Sequence, residues 1–205
     1  RPPIVVAPPP PPPVEPVQPV IPQEPPVPPP VNHESFFTTS PNFSSPANLT
    51  NLNLVEISEA LRKIISGGRP EGSVEEVTFS LRGRALEAQD FLGVVVPNLS
   101  KEGLMSSFQK DFTGFLYHNK QGAWPGYVFR ISADADREGT KTIVKSIELS
   151  PDLANFYLQS PGDPKTGFKD GLSLEGGVAR YRVYSQPGAS FNYGWVGDYV
   201  VISTS

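Results

Sequence analysis

The acidic segment DADREG at residues 134–139 has the spacing that comes nearest to a metal-binding motif in this chain. It places oxygen-bearing side chains at alternate positions and a glycine in the sixth place, as calcium loops do. The twelfth position, which needs a bidentate glutamate, is Lys145. A cation there opposes calcium binding, so the segment indicates the acidic start of a helix, and we expect no metal site.

Catalytic chemistry has few candidates. The chain has no cysteine, and its two histidines, His33 and His118, make a poor metal site without a matched set of carboxylates. Serine, histidine and acidic residues are all present, but there is no Gly-x-Ser-x-Gly elbow and no glycine-rich phosphate loop. The sequence therefore predicts no catalytic residue and no cofactor, with a hydrolase kept as the alternative.

Aromatic residues at the end of a predicted hairpin are the first candidate contact surface. A tryptophan followed by proline and glycine can be exposed to a sugar or a protein, or it can close the end of the core. The residues concerned are Tyr117, His118, Trp124 and Tyr127.

Two arginines are the second candidate contact. Arg180 and Arg182 alternate along one predicted strand, which puts both guanidinium groups on one face for an anionic glycan or a single-stranded nucleic acid, or simply for solvent. The formal net charge of −4 gives no general attraction to nucleic acid or anionic lipid. We therefore expect no nucleic-acid partner.

The elements that position these residues follow from periodicity. Residues 54–65 carry apolar side chains at helical spacings between Asn53, a suitable N-cap, and Gly67-Gly68. Alternation predicts strands, and further apolar spacings predict short helices. The strands are expected at 35–39, 74–82, 112–118, 127–132, 178–185, 190–194 and 199–204, and the other helices at 85–92, 101–109 and 137–149. Helices and antiparallel strands in separate blocks favour an α+β fold, a largely antiparallel sheet with helices packed on one face.

The chain begins with a segment that cannot fold on its own. Prolines make up 16 of residues 1–31, which indicates an extended polyproline II spacer. Residues 32–53 are predicted to be a polar linker pinned by phenylalanines, and residues 54–205 a single domain. A spacer needs something to be spaced from, so we expect the chain to be a fragment. The tract as a ligand for SH3-like grooves is the alternative.

Extended stretches of the chain resemble a group of uncharacterised bacterial envelope proteins. The resemblance lies in the proline-rich tether, NLVEISEALRKII, the block FLGVVVPNLSKEGLMSSFQKDFTGFLYHNKQGAWPGYVFRI, FKDG and the ending ARYRVYSQPGASFNYGWVGDYVVISTS. In that group the tether follows a single membrane helix, and the chain continues after the final STS. The resemblance implies a membrane-anchored extracytoplasmic domain and no activity. The tether is also similar to those of TonB-like and pilus-assembly proteins.

The expectation is a non-enzymatic envelope module, held off a membrane by a spacer, that contacts a protein or glycan partner or serves a structural role. The alternatives are an envelope hydrolase and a periplasm-spanning adaptor of the TonB or pilus-assembly type. A cleft with convergent Ser, His and Asp groups would favour the hydrolase. An exposed apolar or aromatic patch would favour the contact module.

Overall fold

A computed structural model describes residues 32–100, 103–172 and 179–205; the proline-rich tract at 1–31 lies outside them. Helix α1, Leu54–Ile65, forms where the apolar spacing predicts it, with Ile57 and Leu61 buried. The Asn53 side chain accepts a hydrogen bond from the backbone N–H of Glu56, which satisfies one of the free donors at the helix start. The helix is thus placed by its cap as well as by its apolar stripe.

Nine strands form one sheet in the order β1-β2-β4-β5-β9-β8-β7-β6, with β3 paired to β2. Every pair is antiparallel except β1 with β2, which is parallel. The strands are β1 Phe43–Leu49, β2 Val74–Leu81, β3 Arg84–Ala85, β4 Phe108–Asn119, β5 Gly122–Ile131, β6 Lys169–Gly171, β7 Ala179–Val183, β8 Ser190–Val196 and β9 Tyr199–Ser203.

The remaining helices cover the same face of the sheet as α1. They are α2 Ala88–Val95, α3 Pro97–Ser100 and α4 Arg137–Ser146, with 3₁₀ turns at Leu104–Ser107, Ile147–Leu149 and Pro151–Phe156. Phe91 of α2 centres an aromatic cluster, with ring centroids 4.8 Å from Phe112 and 4.7 Å from Tyr127. The predicted α+β class, with a largely antiparallel sheet covered by helices on one face, is confirmed.

The β4–β5 hairpin and the β7–β8–β9 meander are also confirmed, with longer strands in the hairpin. The Asn119 side chain organises the hairpin turn, because its Oδ1 accepts hydrogen bonds from Gln121 N and Trp124 Nε1. Gly122 has φ +137°, a conformation that favours glycine. The turn chemistry therefore sets the hairpin register.

Two sequence predictions were wrong in detail. The early strand lies at Phe43–Leu49 rather than at 35–39, so the segment assigned to a linker contributes a strand to the sheet. The helix predicted over 101–109 is a 3₁₀ turn at Leu104–Ser107, and Phe108 already belongs to β4. Pro97 separates α2 from α3 and starts α3, because proline lacks only an N–H that the first helical turn leaves free. No helix among the described residues has the length and apolar character needed to cross a membrane.

Candidate functional site

The face of the sheet opposite the helices, called the second face below, carries the most distinctive surface chemistry. Side chains alternate between the two faces, so a directly paired row of residues shares one face. One such row crosses seven strands of the second face. From one edge to the other it contains Glu76, Phe115, Gly126, Ser203, Asn192, Tyr181 and Lys169. A segment of the chain lies over one half of this face, and the other half forms a cleft.

The covering segment is residues 32–37, which we call the strap. His33 Nδ1 lies 2.7 Å from Asp111 Oδ1, and its Nε2 lies 3.4 Å from Glu76 Oε1. The Phe36 ring packs edge-on against Tyr199 with centroids 5.4 Å apart, and the Phe37 ring packs against Phe115 at 5.8 Å. The phenylalanines therefore do pin this segment to the sheet, as its composition suggests.

Backbone contacts of the strap go to side chains of β4. Glu34 N donates to Asp111 Oδ2 at 2.6 Å, and Phe36 N donates to Thr113 Oγ1 at 2.8 Å. The strap does not form a β-strand. It is thus held by a few side-chain contacts rather than by a ladder of backbone hydrogen bonds.

Protonation is coupled to these contacts. The hydrogen bond to Asp111 raises the pKa of His33 above its ordinary value, although burial of the ring acts in the opposite direction. Burial alone would raise the pKa of Asp111, but the hydrogen bonds from His33 and from Glu34 N outweigh it and hold that pKa below its ordinary value. Both shifts favour an ionised pair.

The other half of the second face is a cleft of about 580 Å³. Small residues form its floor: Gly171, Ala179 and Gly194 are paired in register across β6, β7 and β8, and Ala179 lies between the two glycines. Tyr181 stands on the same face, one row along. A broad floor with an aromatic side chain beside it suits a flat ligand.

Polar groups lie at the β8–β9 side of this cleft. Asn192 Nδ2 donates to Ser190 Oγ at 2.7 Å and to Ser205 O at 2.8 Å, which fixes the amide. No described residue donates to the amide oxygen of Asn192. Ser203 lines the cleft on the paired position of β9. The cleft therefore combines an oriented hydrogen-bonding amide with an apolar floor.

The structure places most of the predicted hairpin-end cluster in the core. His118, Trp124 and Tyr127 are each no more than 5% exposed, and only Tyr117 is partly exposed. Burial raises the pKa of Tyr127 well above its ordinary value. The surface interpretation of this cluster was wrong because Trp124 is covered by the β7–β8 loop, where the Gly188 backbone leaves no room for a side chain above the indole.

The two arginines share a face as predicted, but it is the helix-covered face. Arg180 forms a two-point ion pair with Glu148, through Nε at 2.6 Å and Nη2 at 2.8 Å, and its Nη1 reaches Asp170 at 2.8 Å. The Arg182 guanidinium lies 4.1 Å above the Phe168 ring and donates to Glu148 O. Both guanidinium groups are engaged within the fold, and Arg180 is also among the residues that line the cleft. A ligand contact by either arginine therefore stays a prediction.

A buried polar cluster on the helix-covered face contains the groups of a hydrolase in an unsuitable order. Glu75, 0% exposed, accepts hydrogen bonds from Ser45 Oγ at 2.6 Å and from Arg69 Nη2 at 2.6 Å, and His118 Nε2 lies 3.2 Å from its Oε2. The carboxylate stands between the serine and the histidine, so the imidazole does not receive the serine proton. This arrangement neutralises a buried charge and does not activate a nucleophile.

Ser107 and Lys110 stand at a Ser-x-x-Lys spacing that the sequence reasoning overlooked. Ser107 Oγ donates to Gly103 O, whereas the Lys110 ammonium is 85% exposed and pairs with Glu87. The ammonium is therefore committed to a surface ion pair and does not serve the hydroxyl.

The acidic segment 134–139 begins a helix. The Asp136 side chain caps α4 by accepting from Glu138 N at 3.2 Å. Among the described residues no group of three or more His, Asp or Glu side chains is placed to hold a metal ion. The capping role accounts for Asp136 at the position where the motif suggested a ligand.

Sequence reasoning missed Glu75 and Glu76. Glu75 is the centre of the buried polar cluster, and Glu76 is one of the two carboxylates that face His33. The signal was present, because two successive acids in an alternating strand must point to opposite faces. Glu75 shares its face with Val77 and Phe79, so it was bound to need a buried partner.

Comparison of the chain with protein-family models, with curated proteins and with solved structures finds no match in any of the three. The functional argument therefore depends on the geometry of the second face.

Proposed function

We propose that this chain is a non-enzymatic binding module of a cell envelope whose cleft on the second face takes a glycan. The observation that carries the proposal is the cleft of about 580 Å³ with its floor of Gly171, Ala179 and Gly194. Sugar rings present flat apolar faces with hydroxyl groups around them. A floor of small residues, a neighbouring tyrosine and an oriented amide match those two properties.

Size favours a glycan over a protein partner. A stable protein interface buries roughly 800 Å² on each side around a cluster of apolar anchors. The large apolar side chains that are exposed in the described residues lie on separate elements: Val55, Leu149, Leu172 and Val196. The cleft has instead the volume of a site for a small ligand or a short stretch of polymer.

A hydrolase remains the second candidate, and the chemistry of the cleft does not favour it. The residues lining the cleft include Ser203 and Asp170 but no histidine, and His118 belongs to the buried cluster on the other face. Glycoside hydrolysis needs two carboxyl groups that face each other across a bond. Among the described residues, Asp170 is the single acidic residue in the lining, and it pairs with Arg180.

The same proposal places the domain on the outer side of a membrane, with residues 1–31 as a spacer from an anchor. Its support is the proline content of that tract, since a proline-rich composition favours an extended spacer. A periplasm-spanning adaptor is the alternative for the spacer. The complete reading frame tests the placement: a membrane helix next to the tract supports it, and a complete cytosolic domain there contradicts it.

Binding is tested by titrating the 205-residue chain with soluble oligosaccharides of four to six units, in neutral, N-acetylated and uronic-acid series, and recording backbone amide shifts by NMR. We expect one series to move the amides of β6 to β9. Tyr181→Ala, which removes the ring, and Ala179→Leu, which fills the floor, are each expected to weaken that binding about tenfold or more. Tyr117→Ala is the matched control, a partly exposed tyrosine on the second face outside the cleft, and should bind as wild type.

Three outcomes overturn the proposal. The first is that no series shifts cleft amides at millimolar concentration. The second is that Tyr117→Ala loses binding as much as Tyr181→Ala. The third is release of new reducing ends from a bound oligosaccharide, which would establish the hydrolase instead.

A further inference from the structure

The strap is poorly secured for a segment that lies across a sheet. Its backbone makes two hydrogen bonds to β4, both to side chains, and its other contacts are two aromatic pairs and the His33 ring. Segments held without a backbone ladder lie at the low end of local stability and open separately from the core. One contact is therefore able to decide whether the strap stays bound.

His33 is that contact, because the number of protons on its ring decides how many of its two neighbouring carboxylates it can donate to. Its two ring nitrogens face two different carboxylates, Asp111 and Glu76. An ionised carboxylate only accepts hydrogen bonds, whereas a neutral imidazole has one N–H and one lone pair. A neutral ring can satisfy only one of the two acids, and its lone pair then faces the other. The observed geometry, with a carboxylate oxygen beside each ring nitrogen, fits the imidazolium, which donates from both nitrogens.

We propose that residues 32–37 form a pH-dependent strap, bound to the second face when His33 is protonated between Glu76 and Asp111 and released when it is neutral. This goes beyond the proposed glycan site and does not depend on it. The imidazolium supplies a cation to a face where Glu76 and Asp111 would otherwise stand together as two uncompensated acids. Asp111 also receives the Glu34 N–H, so the same carboxylate holds both the side chain and the backbone of the strap.

The charged groups in contact with the ring are Glu76 from β2 and Asp111 from β4; Glu34, next to it in the strap, is exposed. The pKa of His33 is raised on docking, so the stabilisation is complete below the pKa of a free histidine, about 6.5, and is lost as the pH rises through the docked value. The pKa of Asp111 is lowered, so this carboxylate stays ionised, and keeps holding the strap, at pH values below the ordinary pKa of an aspartate. Each unit by which docking raises the histidine pKa weakens docking about tenfold across the titration.

Release changes two properties of the molecule. Residues 32–41 are freed, up to the point where Asn42 is hydrogen-bonded to Val74 of β2, and add up to roughly 33 Å of reach, at about 3.3 Å for each extended residue. It also uncovers Thr113, Phe115 and Tyr199 on the second face. Tyr199 lies on β9, the strand that contributes Val201 and Ser203 to the cleft, so the uncovered surface is continuous with the cleft.

The test measures the position of the strap directly. Since the chain has no cysteine, Asn32→Cys and Lys120→Cys give two unique spin labels, and the distance between them is recorded by pulsed EPR at pH 5.5 and pH 8.5. The wild-type background is expected to give one narrow distance at pH 5.5, and a broad distribution displaced by about 10 Å or more at pH 8.5. His33→Gln should give the broad distribution at both values.

Glu76→Gln is the deciding variant. The amide of Gln can donate to the lone pair of a neutral ring whose Nδ1–H is bonded to Asp111, so the strap should stay bound, with the narrow distance, at both pH values. Equal distributions at the two pH values in the wild-type background overturn the proposal. So does a Glu76→Gln variant that responds to pH as the wild type does, because the proton count would then not control docking.

Discussion

Two neighbouring glutamates on β2 point to opposite faces of the sheet, and each meets one of the two histidines of the chain. Glu75 lies among the helices with Arg69, Ser45 and His118. Glu76 lies on the second face with His33 of the strap. The first carboxylate thus has a guanidinium as its partner, and the second has an imidazole.

The two glutamates differ in whether the charge of their partner changes with pH. Burial by itself would raise the pKa of Glu75, but the hydrogen bonds from Ser45 and Arg69 outweigh it and hold that pKa below its ordinary value. A guanidinium stays charged at any physiological pH, so this cluster is always neutralised. An imidazole changes its charge between pH 5 and 8. One glutamate is therefore part of the fold, and the other belongs to a contact that responds to conditions.

The largest effect is expected from Arg69→Ala. The substitution leaves the fully buried Glu75 without its cation and also removes the guanidinium 4.6 Å above the Phe43 ring. Breaking one side of a buried pair should lower the free energy of unfolding by about 3 kcal/mol. Urea unfolding followed by circular dichroism measures it.

The control for Arg69→Ala is Lys120→Ala, which breaks a pair with Glu71 that is exposed on both sides. That variant should unfold as the wild type does. A loss below about 1 kcal/mol for Arg69→Ala would show that Glu75 does not need its cation, and the contrast between the two glutamates would fail.

A smaller, pH-dependent effect is expected from His33→Gln. The raised pKa of His33 adds stability that is fully present below the pKa of the unfolded chain and is lost as the pH rises through the folded value. The wild type should therefore be more stable than the variant by roughly 1–2 kcal/mol at pH 5.5, and the two should converge by pH 9. Urea unfolding at both pH values measures the difference; a gap of the same size at pH 9 would contradict the assignment.

Much of the fold could be predicted from local patterns. Helix α1 follows from its apolar spacing and the Asn53 cap, and the β4–β5 hairpin follows from alternation and from the turn residues after Asn119. In these elements local preference and tertiary packing agree, which is the condition under which periodicity is reliable.

Other parts depend on contacts that no local pattern encodes. Strand β1 has the sequence FSSPANL, whose serines, proline and asparagine are typical of a linker, and it becomes a strand because β2 offers it an edge. Phe108 fits a helical apolar stripe equally well, but it pairs with Ile131 instead. The site was the hardest part, since His33 and Asp111 are 78 residues apart and only the folded sheet brings them together.

The most direct measurement is an NMR titration of the His33 ring in the intact chain, set beside the same ring in the chain unfolded in urea. If the imidazolium holds the strap between Glu76 and Asp111, the pKa of His33 in the folded chain lies above the pKa in the unfolded chain. A folded value equal to the unfolded value, or below it, would show that the ring docks neutral and would contradict the account.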